Sequence, residues 1–149
     1  MKVVLYTKDP RGIILSRFFK SLRVRKEFII KEANTLCSMM KSDYEEFLSL
    51  SQKHPSNFMH LRYEDFVSNY TSSINRLYSF TGATLPDNLL PFYHEALGGA
   101  RREGGRSSVF RKNATATALK WRTELSKKQS DTIRGICEEI IRLLKYPIV

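Results

Sequence analysis

Residues Val3-Val4-Leu5-Tyr6 form a short, unbroken apolar run rich in β-branched side chains, and Thr7-Lys8-Asp9-Pro10 closes it at once. A run without polar alternation suits a strand buried on both faces, as in a parallel sheet covered by helices. Asp9 is a good helix N-cap, and Pro10 suits the first helical position. A strand therefore hands over directly to a helix, on which Ile13, Ile14, Arg17, Phe18 and Leu22 are expected to form one mostly apolar face. Met1 leads into the strand with no lead-in, so further chain is expected upstream.

The basic residues 23–31 read as loop or helix end. A second helix is expected over Glu32–Gln52, with Leu36, Met39, Met40, Phe47 and Leu48 inward. His54-Pro55-Ser56-Asn57 is a turn, and Phe58–Tyr63 alternates as a second strand. Glu64-Asp65 then open one helix carrying Phe66, Tyr70, Ile74 and Leu77, with Gly82 as its C-cap. Pro86–Leu97 predicts a shorter helix. Residues 98–113 are rich in Gly, Arg and Ser and read as a basic loop. Ser126 and Gln129 fit a capping box. The helix it opens has a stripe of Ile133, Ile136, Cys137, Ile140, Ile141 and Leu144, and Pro147 ends it. Strand–helix–helix–strand–helices is an α/β order, and 149 residues fit a single domain, 1–149. Two strands are few for a covered parallel sheet, which again points to strands upstream.

Hydrophobic residues make up 42%, enough for a core. The formal net charge of +10 calls for a polyanionic partner without choosing among nucleic acid, an anionic membrane, a phosphate-bearing cofactor and a sulfated glycan. No stretch is apolar for long enough to span a membrane, and no signal peptide is visible. Cys37 and Cys137 form neither a metal pattern nor a redox pair in sequence; they are either two buried thiols or one long-range disulfide. No metal site is visible. Asn69-Tyr70-Thr71 and Asn113-Ala114-Thr115 are glycosylation sequons.

The strongest chemical signal is Lys8-Asp9-Pro10-Arg11 with Ser16-Arg17 behind it. Ligands of open α/β sheets bind at the carboxyl ends of strands, and a helix N-terminus offers N–H groups and a positive dipole end to a phosphate. Lys8 and Arg11 add charge and Ser16 a hydroxyl. The plain alternative is solvated basic residues and a serine that only packs.

The run from Val4 to Arg17 resembles the 3′-phosphate-binding segment of Golgi carbohydrate sulfotransferases, in which a strand leads to Arg-Asp-Pro-Arg, an apolar stretch and Ser-Arg. Leu61-Arg62-Tyr63-Glu64-Asp65-Phe66 is similar to the family's Arg-Tyr-Glu-Asp-Leu. Asn113 to Ala116, leading to Trp121-Arg122 and Leu125, is similar to its Trp-Arg before the last helix. The three matches keep the family's order and span nearly the whole chain. The resemblance implies a partial P-loop-like sulfotransferase fold, a parallel sheet with flanking helices, that lacks the N-terminal glycine-rich loop unit. It implies a sulfotransferase that moves a sulfonate group from 3′-phosphoadenosine 5′-phosphosulfate (PAPS) to a sugar hydroxyl. The implied cofactor-binding residues are Lys8, Ser16, Arg11 and Arg111, with Lys112 beside Arg111; solvated loop charges are the alternative for the last two. Lys8 stands where the family has arginine, keeping the charge without the planar fork. Lys145 stands where the family usually has glycine.

Several expectations follow from the resemblance. The glycan acceptor is the partner, membrane attachment would come only through an upstream anchor, and the home is the Golgi lumen or membrane. No catalytic residue is assigned: the family's base lies upstream, and His54, His60 and His94 sit in structural positions. Tyr63 and Trp121 are expected in the core, and Glu64 and Asp65 in a helix's first turn. Without the glycine-rich loop, residues 1–149 alone are expected to lack activity. The rival reading is a non-catalytic basic module that holds a sulfated glycan or another polyanion through Arg101, Arg102, Arg106, Arg111 and Lys112. Nucleic acid would want aromatics interleaved with these charges, and Phe110 is the only one, so no nucleic-acid partner is expected.

Overall fold

Strands β1 (Val3–Thr7) and β2 (Phe58–Arg62) pair in a two-stranded parallel sheet. The helices are α1 (Pro10–Phe18), α2 (Lys26–Lys53), α3 (Tyr63–Ser68), α4 (Tyr70–Thr81), α5 (Leu89–Leu97), α6 (Ala114–Ala118), α7 (Trp121–Glu124) and α8 (Lys127–Leu143). The structure, a computed structural model, describes residues 1–18, 26–97 and 113–148. The α/β reading holds. Leu22 and residues 98–112 of the basic loop, with Arg111 and Lys112, lie outside the described residues.

Two compact units make up the chain, one of Met1–Thr7 and Met59–Leu119, the other of Lys8–Phe58 and Lys120–Val149. In the second unit, α2 and α8 face each other through regular stripes. Ile29, Ala33 and Cys37, four residues apart, meet Ile133, Cys137, Ile140, Ile141 and Leu144 in one core. Trp121, Leu125, Tyr146 and Ile14 complete it. Cys37 and Cys137 have Cα atoms 5.4 Å apart and form a disulfide across a sequence separation of 100.

α2 already includes Lys26, inside the stretch read as loop or helix end, with Glu27 in its first turn and Ile29 opening the buried stripe. Met39, expected inward, is 62% exposed: it lies about 200° around the helix from Cys37. On α1 the inner face is also turned from the one expected. Ile14 is fully buried and Leu15 packs beside it, while Arg17 is exposed. That rotation brings Arg11 onto the same face, three and four residues before them.

α8 opens on the expected Ser126–Gln129 capping box. It closes on a turn in which Tyr146 N–H donates to Ile141 O (2.9 Å) and Lys145 N–H to Arg142 O (3.0 Å). This is the paired bonding of a Schellman motif. Lys145 takes the left-handed position, φ 56°, where glycine is free of the Cβ clash.

In the first unit, Met59 and Leu61 are the buried residues of β2. Val67, Ala114 and Ala118 form a small core with Tyr63, Phe66 and Leu97 against it. The single helix expected from Glu64 to Leu77 is two, α3 and α4. Asn69 leaves the helical region (φ −144°, ψ 70°) and its side chain accepts from Ser72 N–H. Asparagine competes for backbone hydrogen bonds and so starts helices better than it continues them. Gly82 is the left-handed C-cap of α4, φ 72°. α5 starts at Leu89, three residues later than expected.

Candidate functional site

The start of α1 is held by a buried network within the second unit. Asp9 caps α1: its Oδ1 accepts from Arg11 N–H at 2.9 Å, and Ile13 N–H donates to Asp9 O at 3.0 Å. The Arg11 side chain turns back onto the same carboxylate. Nε donates to Oδ1 at 2.9 Å and Nη2 to Oδ2 at 2.7 Å, the forked geometry suited to guanidinium and carboxylate. Nη2 also donates to Pro147 O at 2.7 Å. The guanidinium lies 3.8 Å from the Trp121 ring centre, and Arg122 stands 5.2 Å from that ring. Arg11 is 0% exposed and Asp9 2%.

These contacts decide what each candidate residue offers a ligand. The fork of Arg11 is engaged by Asp9 and Pro147 and sealed from solvent, so it holds the junction rather than reaching outward. The free N–H groups expected at the helix start are also reduced, since Pro10 has none and that of Arg11 is bonded to Asp9. Lys8 is half-buried immediately before this cap. Ser16 is exposed, its hydroxyl donating to Ile13 O at 3.0 Å within the helix, on the face that Gly12 leaves without a side chain one turn earlier. Lys8 carries a positive charge and Ser16 a hydroxyl, donors of the kind a phosphate accepts from. Arg111 lies outside the described residues.

Trp121 is a core residue, 3% exposed, and its indole N–H has no hydrogen-bond partner among the described residues. Sequence reasoning placed Asp9-Pro10-Arg11 and Trp121-Arg122 in separate motifs. Folding joins them, with Pro147, in one cluster. The only advance signal was the charge complementarity of Asp9 and Arg11 two residues apart.

The first unit gathers other groups. His60 Nε2 and Thr7 Oγ1 are 2.8 Å apart, and His60 O accepts from Arg76 Nη2 at 2.8 Å. Burial, then the Arg62 charge, pushes the His60 pKa below its ordinary value. Tyr6 meets Tyr63 and Phe66 edge-on with ring centres 6.3 Å and 6.4 Å away. Partial burial first, then Tyr63, Glu64 and Tyr93, holds its hydroxyl protonated well above the ordinary phenol range. Arg62 forks onto Asp65 at 2.7 Å and 2.9 Å in an exposed pair. Glu64 and Asp65 occupy the first turn of α3. His94 sits in the last turn of α5, and His54 O accepts from Asn57 N–H at 2.9 Å in the turn before β2.

Among the described residues, no group of three or more His, Cys, Asp or Glu could hold a metal ion. None of the described helices is long and apolar enough to cross a membrane. A cavity of about 230 Å³, lined by Lys26, Ile29, Ser126, Lys128, Gln129 and Thr132, contains none of the candidate residues.

Comparison with known proteins gives a family model, the sulfotransferase domain, that matches residues 1–145. Carbohydrate sulfotransferase 1 of Mus musculus is 26% identical over 163 residues, covering 98% of this chain and 39% of that protein. The Homo sapiens carbohydrate sulfotransferase 1 is 26% identical over 165 residues, covering 99% and 39%. Carbohydrate sulfotransferase 2 of Homo sapiens is 24% identical over 111 residues, covering 74% and 21%. The chain thus spans about two fifths of the length of the first of these relatives. No solved structure matches.

Proposed function

The chain belongs to the sulfotransferase domain family, and from that premise we propose that it forms the nucleotide 3′-phosphate-binding part of an enzyme that transfers a sulfonate group from PAPS to a carbohydrate hydroxyl. The observation that carries this reading is the β1–α1 junction. A buried Asp9–Arg11–Pro147–Trp121 network fixes the backbone beside Lys8 and one turn before Ser16.

PAPS supplies the sulfonate. Lys8 meets the 3′-phosphate as a point charge, and Ser16 turns its hydroxyl from Ile13 O to the phosphate. Arg11 keeps the junction in shape without touching the nucleotide. Arg111, carried over from the family resemblance, closes on the nucleotide from the basic loop. This part binds and orients; transition-state stabilisation at the transferred group needs donors aimed at the phosphosulfate end. The family resemblance puts the glycine-rich loop for that task outside these motifs, so residues 1–149 expressed alone are expected to transfer no sulfonate. The acceptor is a glycan.

The chain works in the lumen of the secretory pathway, in the Golgi. The Cys37–Cys137 disulfide supports this, since such bonds persist in oxidising compartments. So does the carbohydrate sulfotransferase resemblance.

The test is a titration of 3′-phosphoadenosine 5′-phosphate into the full-length enzyme. A hydrogen bond to a charged group contributes about 1.5–3 kcal/mol, so Lys8→Ala should weaken binding roughly 10- to 100-fold. Lys8→Arg should bind at least as tightly as the wild type. Equal affinities for wild type and Lys8→Ala would remove Lys8 from the site.

A further inference from the structure

Two asparagines share an arrangement that sulfonate transfer does not use. Asn69 is the N-cap of α4 and Asn113 the N-cap of α6. Both are exposed, and each begins an Asn-X-Thr triplet whose middle residue, Tyr70 or Ala114, is not proline. In both, the side-chain oxygen does the capping. Asn69 Oδ1 accepts from Ser72 N–H at 3.1 Å, and Asn113 Oδ1 from Ala116 N–H at 2.8 Å. A backbone N–H can be met only by the oxygen of the amide, so the orientation of each side chain is forced. Among the described residues, neither Nδ2 makes a hydrogen bond. The cap therefore occupies one end of the amide and turns the other, nucleophilic end toward solvent, twice in one chain.

An N-glycosidic bond is made at Nδ2 and leaves Oδ1 as an acceptor. A sugar at either position keeps the helix cap intact and adds bulk only on the exposed side. The disulfide is an independent observation pointing the same way, because it belongs to the compartment where such sugars are added.

We propose that Asn69 and Asn113 both carry N-linked glycans, and that each glycosylated asparagine remains the cap of its helix. In the attachment step, Nδ2 bonds to the anomeric carbon of an oligosaccharide delivered as its polyprenyl diphosphate. The bond from that carbon to the diphosphate oxygen breaks, its electron pair leaves with the diphosphate, and the amide loses one proton to a base. The attachment precedes closure of α4 and α6, and the folded structure accepts the product unchanged. The proposal rests on the luminal home inferred above and is independent of the sulfonate-transfer reading.

The experiment expresses the full-length protein in secretory cells and digests it with a peptide N-glycosidase in heavy-oxygen water, which converts each glycosylated asparagine to a labelled aspartate. Label at both 69 and 113, with two discrete steps in gel mobility, is the expected result. Thr71→Ala and Thr115→Ala should each abolish one step. Thr71→Ala leaves the Asn69 cap untouched, while Thr115→Ala also removes the hydroxyl that donates to Val67 O at 3.1 Å. Asn69→Asp keeps an oxygen for Ser72 and should remove one step with the protein still folded. Protease protection in sealed microsomes reports the compartment separately. A protected chain with no label overturns the glycan proposal alone. Label at one position overturns it for the other, and a chain open to cytosolic protease overturns the luminal home together with the glycans.

Discussion

Asp9–Arg11 and Arg62–Asp65 are made of the same two residue types, both forked, both where a strand gives way to a helix. Their surroundings differ. The first pair has side chains 0% and 2% exposed, the second 28% and 53%. In water the second pair exchanges hydrogen bonds with solvent and loses side-chain freedom to form, so its net worth is small. The first has no solvent to fall back on. Once desolvated, the two charges attract each other strongly, the Asp9 carboxylate also accepts the Arg11 backbone N–H, and the Arg11 guanidinium also meets Pro147 O and the Trp121 face. One pair lies on the surface at the start of its helix; the other is built into the interior of the second unit.

The comparison can be broken or sharpened by measurement. The largest effect should come from the core under the buried pair. Removing the disulfide with the double variant Cys37→Ser, Cys137→Ser should cost about 4–5 kcal/mol on the chain-entropy model for a separation of 100. Urea unfolding of the full-length protein, with and without reductant, reads it, and a change below 1 kcal/mol would show that the core holds this junction without the bond. Next, Arg11→Ala should cost about 3–5 kcal/mol, because it removes the guanidinium that pairs with a buried carboxylate. An unfolding midpoint equal to wild type would show that Asp9 finds water or another donor, and the contrast between the junctions would collapse.

Smaller shifts sharpen the picture. Lys145→Gly should stabilise by about 0.5–1 kcal/mol, since relief of the left-handed backbone outweighs the added freedom of the unfolded chain. That turn delivers Pro147 to Arg11, so a crystal structure of the variant should keep the Arg11–Pro147 bond; a destabilised variant would mean that the lysine side chain contributes more than its backbone costs. Least of all, Arg62→Ala should change stability by under about 1 kcal/mol, read by the same urea titration. A loss as large as that of Arg11→Ala would make exposure the wrong explanation.

Much of this was legible before folding. The Ser126–Gln129 box, the left-handed Gly82 and the α8 stripe from Ile133 to Leu144 are local or periodic signals, and each stands where read. The strand–helix handover and the α/β order were legible for the same reason. The misreadings share a cause. The break at Asn69, the early start of α2 and the outward Met39 depend on which face of a helix finds a partner. The candidate residues divide likewise. Lys8 and Ser16 could be singled out by their place along the chain, but the engagement of Arg11 could not, because its partners Trp121 and Pro147 are more than a hundred residues away.

The sequence by itself determined the α/β order, the Ser126–Gln129 box, the Gly82 cap and the α8 stripe, and through its three motifs the family, because these rest on local or periodic signals. Tertiary structure alone decided that Cys37 meets Cys137, that Lys145 adopts a glycine's backbone, and that the Arg11 charge faces inward. The physical reason is desolvation. A charged side chain near a strand end is equally able to meet solvent, a ligand or a buried partner, and only the packing of α1 against α7 and the end of α8 removes the first option and supplies the last.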